Sequence, residues 1–128
     1  DMGGVRTADN HEVAFARASV ALAGRVAGVP VLDQVVTDFH NDDRFEREAV
    51  EARAMGYQGK LCIHPGQVTS ANRSFVPSPD EVERARRLLR AYDDASAKGV
   101  AAIDFEGQMV DEPLASQARR VLALADHI

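Results

Sequence analysis

A histidine and a glutamine stand at the end of a short apolar run, where folding could bring them to one point. The run is GYQGKLCIHPGQ, residues 56–67, and it ends with His64, Pro65 and Gln67. An imidazole at the end of a strand can hydrogen-bond a ligand, and it titrates near neutral pH. His64 can also have a local role, because a histidine before a proline can donate to a backbone carbonyl and shape the loop. Gln67 can bind a polar ligand group or cap the short helix that follows.

An acidic loop is the second place where the residue types could bind a ligand. Asp38, Asp42 and Asp43 surround His40, and carboxylates are ligands that suit Mg²⁺. No metal-ligand spacing accompanies this acidity, and the loop immediately precedes a predicted helix. We therefore interpret it as a solvated loop that caps the helix.

Composition and charge limit the classes of function. A chain of 128 residues, of which 45% are hydrophobic and 27% charged, is typical of one globular domain. The net charge of −5 argues against a nucleic-acid partner, because such proteins usually cluster Lys and Arg on one face. No apolar run is long enough to span a membrane, and no signal peptide opens the chain. The single cysteine, Cys62, predicts a buried, reduced thiol in a cytoplasmic protein.

Hydrophobic periodicity in the first half of the chain predicts alternating helices and strands. A helix over 10–27 precedes a β-branched strand within 29–36, and a helix closed by Gly56 precedes a strand over 60–64. Such runs are typical of parallel strands that helices cover on both faces. Because sheets usually have roughly four to six strands, we expect the C-terminal part of a larger (β/α) assembly, or else a small α/β domain with irregular strands. The chain opens on Asp1 without an initiator methionine, which also predicts a piece of something longer.

The second half of the chain predicts two further helices and a hairpin. Ser78 as N-cap, Pro79 at the first helical position and Glu81 in a capping box start a long helix. Two short apolar runs separated by Glu106-Gly107 predict a β-hairpin, because glycine tolerates a positive φ. A last helix begins near Pro113.

Two motifs resemble the C-terminal signature of a known family. The first is GKLCIHPGQ, which ends at Gln67 and is followed by Asn72 and by FVPS at 75–78; the second is GQMVDEP at 107–113. Together, at this separation, they resemble citrate lyase β-subunit-like proteins of the HpcH/HpaI aldolase and citrate lyase family, with malyl-CoA lyases as close relatives. The resemblance covers nearly the whole chain.

The resemblance implies the fold class. Residues 1–98 would be the last strands and helices of a TIM (β/α)₈ barrel, an α/β fold, and residues 99–128 would be a C-terminal extension made of the hairpin and the last helix. In this family such extensions reach a neighbouring subunit of a homotrimer. The segment 99–128 is therefore expected to contact another subunit.

The resemblance also assigns positions within the barrel. Val31 to Val36 and Lys60 to His64 would be the last two barrel strands. His64 and Gln67 would then lie at carboxyl ends of strands, where barrel enzymes place their sites, and we predict that both bind substrate. Lys60 would lie at the opposite end of its strand, in a surface or stabilising role.

An activity and its partners follow from the same resemblance. The parent protein would be a Mg²⁺-dependent lyase that cleaves or forms a carbon–carbon bond in a β-hydroxyacyl-CoA, with a CoA thioester such as citryl-CoA or malyl-CoA as substrate. In this family the metal stabilises an enolate oxygen, and its carboxylate ligands are expected upstream of residue 1, so no metal ligand is assigned in this sequence. The alternatives are a truncated fragment without catalysis and a small α/β ligand-binding module.

Asp111 is the predicted catalytic residue. In the family the matching acidic residue enters a neighbour's active site as an acid or base, a role that suits a carboxylate whose pKa is raised by partial burial. Asp111 also stands two residues before Pro113, where it can cap the last helix, and a capping carboxylate would instead have a lowered pKa. The sequence leaves both roles open.

Overall fold

Helices and strands alternate through the first half of the computed structural model, which describes residues 3–126. Within these residues, ten elements follow one another: a 3₁₀ turn at His11–Val13, α1 Ala14–Ala27, β1 Leu32–Asp33, α2 Asp42–Met55, β2 Gly59–Lys60, α3 Gly66–Phe75, α4 Pro79–Ser96, β3 Ile103–Phe105, β4 Gln108–Val110 and α5 Glu112–Ala125. They form two compact units, Asp1–Phe75 and Val76–Ile128. None of the helices within residues 3–126 has the length and apolar composition needed to cross a bilayer.

Strands β1 and β2 are parallel, as predicted, but each contains only two residues. Leu32 lies opposite Gly59, and Asp33 lies opposite Lys60. The predicted strands were longer because the apolar runs continue past these positions. The backbone beyond β1 and β2 leaves the ladder, and part of it bonds instead to a side chain at the start of α3.

Helices and strands of the first unit bury two small apolar clusters. One contains Ala21, Ala52 and Tyr57, and the other contains Val36, Phe45 and Ala49. Other apolar side chains of this unit remain exposed, contrary to the expectation of strands covered on both faces. These exposed side chains are Leu32 on β1, Leu61 and Ile63 after β2, and Phe15, Leu22 and Val26 on α1.

Local capping signals position the helices largely where the sequence predicts them. Helix α2 begins at the N-cap Asn41, whose side chain accepts from the backbone N–H of Arg44, and ends at Gly56 with φ 102°. The predicted capping box opens α4: the Ser78 hydroxyl accepts from Glu81 N at 3.2 Å, and the Glu81 carboxylate accepts from Ser78 N at 2.8 Å. These local bonds satisfy backbone N–H groups that have no partner within the helix.

The second unit packs α4, α5 and a two-stranded antiparallel hairpin around one core. The core contains Leu88, Tyr92, Val110, Ala115 and Ala118, among others. At the predicted turn Glu106 and Gly107 both have positive φ, 55° and 78°, as a two-residue type I′ hairpin turn requires. Helix α4 therefore belongs to the same compact unit as the C-terminal segment, whereas the family resemblance implies that it is one of the barrel helices.

Candidate functional site

The loops that follow β1 and β2 bring three aromatic side chains together. The Phe39 and His64 rings are stacked, with centroids 5.1 Å apart and planes at 25°. The His40 ring lies 4.2 Å from Phe39, tilted by 42°. All three residues are exposed. We call Phe39, His40 and His64 the aromatic surface, and it lies at the carboxyl ends of the parallel strands.

His64 shapes its loop by accepting a hydrogen bond. Its Nδ1 accepts from the backbone N–H of Gly66 at 3.1 Å, so in the neutral ring the proton resides on Nε2. The local role foreseen from the sequence is therefore present, with the ring as acceptor instead of donor. Because the ring is exposed, Nε2–H is available to donate to a ligand. The predicted substrate contact of His64 remains a prediction.

The side chain of Gln67 connects the segment that follows β1 with the segment that follows β2. Its side chain is almost fully buried, with 1% of the residue exposed. Its Nε2 donates to the Val36 carbonyl at 3.1 Å, and its Oε1 accepts from Ile63 N at 2.9 Å. Val36 follows β1 and Ile63 follows β2, so one amide side chain closes the gap where the backbone ladder ends. Gln67 thus joins the two segments that lead to the aromatic surface, and its predicted contact with substrate remains untested.

We expect Gln67→Leu to destabilise the protein by roughly 1–3 kcal/mol, because the buried Val36 carbonyl loses its partner. Urea unfolding of the full-length protein measures this change. The matched control is Gln58→Leu, which removes an exposed amide that accepts from Val31 N at 2.7 Å; water can replace that bond, so a smaller loss is expected. Equal losses for the two variants would contradict the bracing role of Gln67.

A buried ion network lies where the two strands meet. The Lys60 side chain is 0% exposed, and its Nζ lies 2.7 Å from Asp33 Oδ2 and 3.3 Å from Glu48 Oε2. The prediction of a surface role for Lys60 is therefore wrong, since the side chain points inward to two carboxylates. The stabilising alternative fits this geometry.

Arginine completes the network around Asp33. Arg17 donates to both carboxylate oxygens of Asp33 at 3.0 Å, from Nε and Nη2, and its Nη1 lies 2.9 Å from Glu51. Arg44 pairs with Glu48 at 2.9 Å. Three cations thus face three carboxylates, which satisfies the requirement that buried charges be paired and hydrogen-bonded.

Both buried carboxylates are held ionised by this network. Burial alone would raise the pKa of Asp33, but the hydrogen bonds and charges of Arg17 and Lys60 outweigh burial and lower the pKa. Burial likewise opposes ionisation of Glu48, and the hydrogen bond from Arg44 together with the charge of Lys60 lowers its pKa overall. Both groups therefore stabilise the folded state in the ionised form.

Acid should remove this stabilisation. Because the folded pKa values are lowered, the contribution of Asp33 and Glu48 is complete above their ordinary pKa values of 3.8 and 4.5 and is lost as the pH falls through the folded values. We expect the urea midpoint to fall steeply below about pH 4. The control variant Glu83→Gln removes an exposed carboxylate 3.7 Å from Arg90. It should show the same fall of the urea midpoint at low pH as the parent protein. A midpoint that stays constant down to pH 3 would contradict the assignment.

Asp111 caps α5, which is one of the two roles that the sequence predicts for it. It is the N-cap residue, and its Oδ1 accepts from Leu114 N at 3.4 Å. The side chain is half-buried. Glu112, the first residue of α5, pairs with Arg119 at 2.5 Å. The capping role is confirmed, and the catalytic role of Asp111 remains a prediction.

The acidic loop has the structure of a cap. Asn41 caps α2, and its Nδ2 donates to Asp38 at 3.2 Å. No group of three or more potential metal ligands occurs within residues 3–126. The interpretation of the loop as a helix cap is confirmed.

Cys62 corrects a further expectation from the sequence. The residue is exposed, although its apolar neighbours predicted a buried thiol. The reason is that β2 ends at Lys60, so the backbone at Cys62 no longer follows the strand. Its Sγ lies 3.6 Å from the Lys60 carbonyl.

Comparison with known proteins finds one family and a set of longer relatives. The model of the HpcH/HpaI aldolase/citrate lyase family matches residues 1–65. A citrate lyase subunit beta-like protein of Deinococcus radiodurans is 49% identical over 96% of this chain and 43% of its own length. The mitochondrial citramalyl-CoA lyase of Mus musculus is 33% identical over 99% of this chain and 38% of its own.

A solved structure has the same fold over nearly all of this chain. It is that of CitE from Mycobacterium tuberculosis in complex with magnesium, acetoacetate and coenzyme A, with a TM-score of 0.82 and 31% sequence identity. The match covers 97% of this chain and 46% of that one. The chain therefore spans less than half the length of the relatives that it matches.

Proposed function

Because this chain belongs to the HpcH/HpaI aldolase/citrate lyase family, we propose that the full-length protein is a carbon–carbon lyase acting on a β-hydroxyacyl-CoA. The observation that carries the proposal is the structural match over nearly the whole chain to a protein solved with magnesium, acetoacetate and coenzyme A. The lyase names of two longer sequence relatives agree with it. Malyl-CoA, citramalyl-CoA and citryl-CoA are the substrate candidates.

We propose that β1 and β2 are two strands of a larger (β/α)₈ barrel. Parallel pairs occur almost solely in sheets that are covered on both faces, yet Leu32 is 57% exposed and Ile63 is 52% exposed. Phe15, Leu22 and Val26 form a second exposed apolar stripe at helical spacing along α1, 84%, 66% and 82% exposed. Further strands and helices would cover both surfaces.

The substrate site is assigned to the carboxyl ends of these strands. His64 would donate from Nε2 to an oxygen of the acyl-CoA, while Phe39 would offer it an apolar face. Gln67 would act on the site by holding the two loops together, and a direct contact with substrate would require it to give up the Val36 or Ile63 bond. Any Mg²⁺ would be held by residues upstream of this sequence.

Asp111 would carry the proton of the reaction, in the site of a neighbouring subunit. Cleavage removes the proton of the β-hydroxyl while the bond between the α- and β-carbons breaks, and the electron pair of that bond becomes the enolate of the departing acyl-CoA. The enolate then takes a proton at carbon. A carboxylate placed beside the reacting carbon can accept the first proton or deliver the second.

Product analysis tests the proposed activity. Full-length protein is incubated with Mg²⁺ and each of the three candidate thioesters, and the products are separated by mass. We expect one of the three thioesters to give a shorter acyl-CoA together with a free carbonyl compound. Free coenzyme A with an intact acyl skeleton would mean a thioesterase instead, and the absence of turnover with all three would remove the lyase assignment for these substrates.

We further propose that the segment 99–128 contacts a neighbouring subunit in a trimer. Met109 is the exposed apolar residue of the hairpin, 69% exposed. Deleting the segment is a poor test, because Val110, Ala115 and Ala118 form part of the core beneath α4. Met109→Asp should instead lower the sedimenting mass of the full-length protein without lowering its unfolding free energy. A variant that remains trimeric would remove Met109 from the contact.

A further inference from the structure

We propose that the buried Asp33–Lys60 ion pair fixes the register of β1 against β2 and thereby positions the aromatic surface. Asp33 and Lys60 would be positioning residues that have no contact with a ligand. The alignment of the two strands does not depend on which reaction the full-length protein catalyses.

The backbone ladder alone specifies this register weakly. Each strand contributes two residues to the pairing. On one face the partners are Leu32, which is 57% exposed, and Gly59, which has no side chain. Register is strongly specified where a buried face would be turned outward by a slip, and weakly specified where strands are flat, polar on both faces or rich in glycine. This face therefore supplies little preference for the observed alignment.

On the other face, the buried charged side chains are paired with each other in the observed register. Asp33 and Lys60 are direct partners in the ladder, and both side chains are fully buried. Arg17 holds both oxygens of Asp33, while Glu48 gives Lys60 its second carboxylate. A shift by one residue turns the Lys60 side chain to the opposite face. The carboxylates of Asp33 and Glu48 would then stay buried without their common cation.

The register is transmitted to the aromatic surface through Gln67. Val36 lies three residues after Asp33, and Ile63 lies three residues after Lys60; the Gln67 amide bonds to both. A one-residue slip would move one of these anchors by about 3.3 Å relative to the other. One amide could not then reach both, and the stacking of Phe39 on His64 would be lost with it.

An ion pair that only stabilises the fold would behave differently from one that sets the register. Replacing a buried ion pair with apolar residues of similar volume is often neutral or stabilising, so a folded variant without the pair is a realistic test. If the pair only stabilises, such a variant keeps the native alignment. If the pair sets the register, the variant folds with strands that slip.

Disulfide cross-linking across the strands measures the alignment directly. Leu32→Cys and Gly59→Cys place two thiols at partner positions, in a Cys62→Ser background that removes the one native thiol of this chain. A Cβ on Gly59 would meet Leu32 Cδ2 at 2.8 Å, and Leu32→Cys removes that atom. Partner positions satisfy the Cα separation that a disulfide needs. The rate of cross-linking in the full-length protein is followed by mass after mild oxidation.

We expect Asp33→Leu with Lys60→Met to lower the cross-linking rate at least about tenfold while the helical circular dichroism is kept. The matched control removes an exposed ion pair between α2 and α3, Glu46→Gln with Arg73→Gln, and should cross-link at the parent rate. Lys60→Arg, which keeps the cation, should also keep the parent rate.

Parent-like cross-linking in the folded Asp33→Leu, Lys60→Met variant would overturn the proposal. Where that variant fails to fold, Asp33→Asn with Lys60→Met is measured in the same way: a slowed rate in the folded protein supports the proposal, and a parent rate overturns it. Failure of both to fold would also overturn it, because the pair would then determine folding and not alignment.

Discussion

Lys60→Met is expected to lower the free energy of unfolding by about 1.5–3 kcal/mol, the usual worth of hydrogen bonds to charged groups, because Arg17 still pairs with Asp33 and Arg44 still pairs with Glu48. Methionine can occupy the space of the lysine stem, so the loss comes from charge and not from a cavity. Asp33 Oδ2 and Glu48 Oε2, at 2.7 Å and 3.3 Å from Nζ, would lose the cation that they share. Urea denaturation of the full-length protein at neutral pH measures the change.

Two controls separate this effect from a general effect of removing charge. Arg90→Met removes an exposed cation 3.7 Å from Glu83 and should cost at most about 1 kcal/mol. Lys60→Arg keeps a cation between Asp33 and Glu48 and should therefore lose less stability than Lys60→Met. A Lys60→Met protein within 1 kcal/mol of the parent would contradict the burial and pairing described for Lys60.

Asp111→Asn should lower kcat by about two to four orders of magnitude, the range attributed to a positioned acid or base. Asparagine caps helices about as well as aspartate, so the hydrogen bond from Leu114 N can be kept while the proton-carrying carboxylate is removed. The unfolding free energy should change little. Steady-state turnover of the full-length protein, with unfolding measured in parallel, gives both quantities.

The comparison with alanine separates the cap from the chemistry. Asp111→Ala removes both the carboxylate and the cap, so it should show the same loss of turnover together with a stability loss of about 1 kcal/mol. If Asp111→Asn turns over at the parent rate while Asp111→Ala is destabilised, Asp111 is a helix cap alone. The catalytic assignment would then be withdrawn.

Features encoded within a few residues could be predicted from the sequence. The Ser78 and Glu81 capping box, the ends of α1 and α2 at Gly28 and Gly56, and the hairpin turn at Glu106-Gly107 all occur where their residue types predict them. Each is determined by neighbouring residues, through a cap or a backbone conformation that few residue types adopt.

The ion network could not be predicted because its partners are far apart along the chain. Arg17 and Asp33 are 16 residues apart, and Asp33 and Lys60 are 27 apart. A signal did exist: Arg17 lies on the same helical stripe as the buried Ala21 and Gly24, at a spacing that places it inward. Buried charges need partners. An arginine on the buried stripe of a helix therefore predicts a carboxylate nearby, and an aspartate within an apolar strand is a candidate for that partner.

The lengths of the two strands were overestimated for a related reason. Apolar periodicity measures burial and β-propensity, and it does not reveal where the backbone leaves the ladder. The regular pairing ends after Asp33 and Lys60, and three residues further along each segment the side chain of Gln67 bonds to the backbone of Val36 and Ile63. The same departure exposes Cys62, which the apolar run predicted to be buried.

Hydrogen–deuterium exchange of the full-length protein with coenzyme A and Mg²⁺ tests most directly whether the carboxyl ends of β1 and β2 form the substrate site. We predict slower exchange in the segments 36–40 and 61–67, which carry the aromatic surface and Gln67, and unchanged exchange in the middle of α4. Saturating ligand that leaves both segments unchanged, while it protects other parts of the protein, would contradict the account.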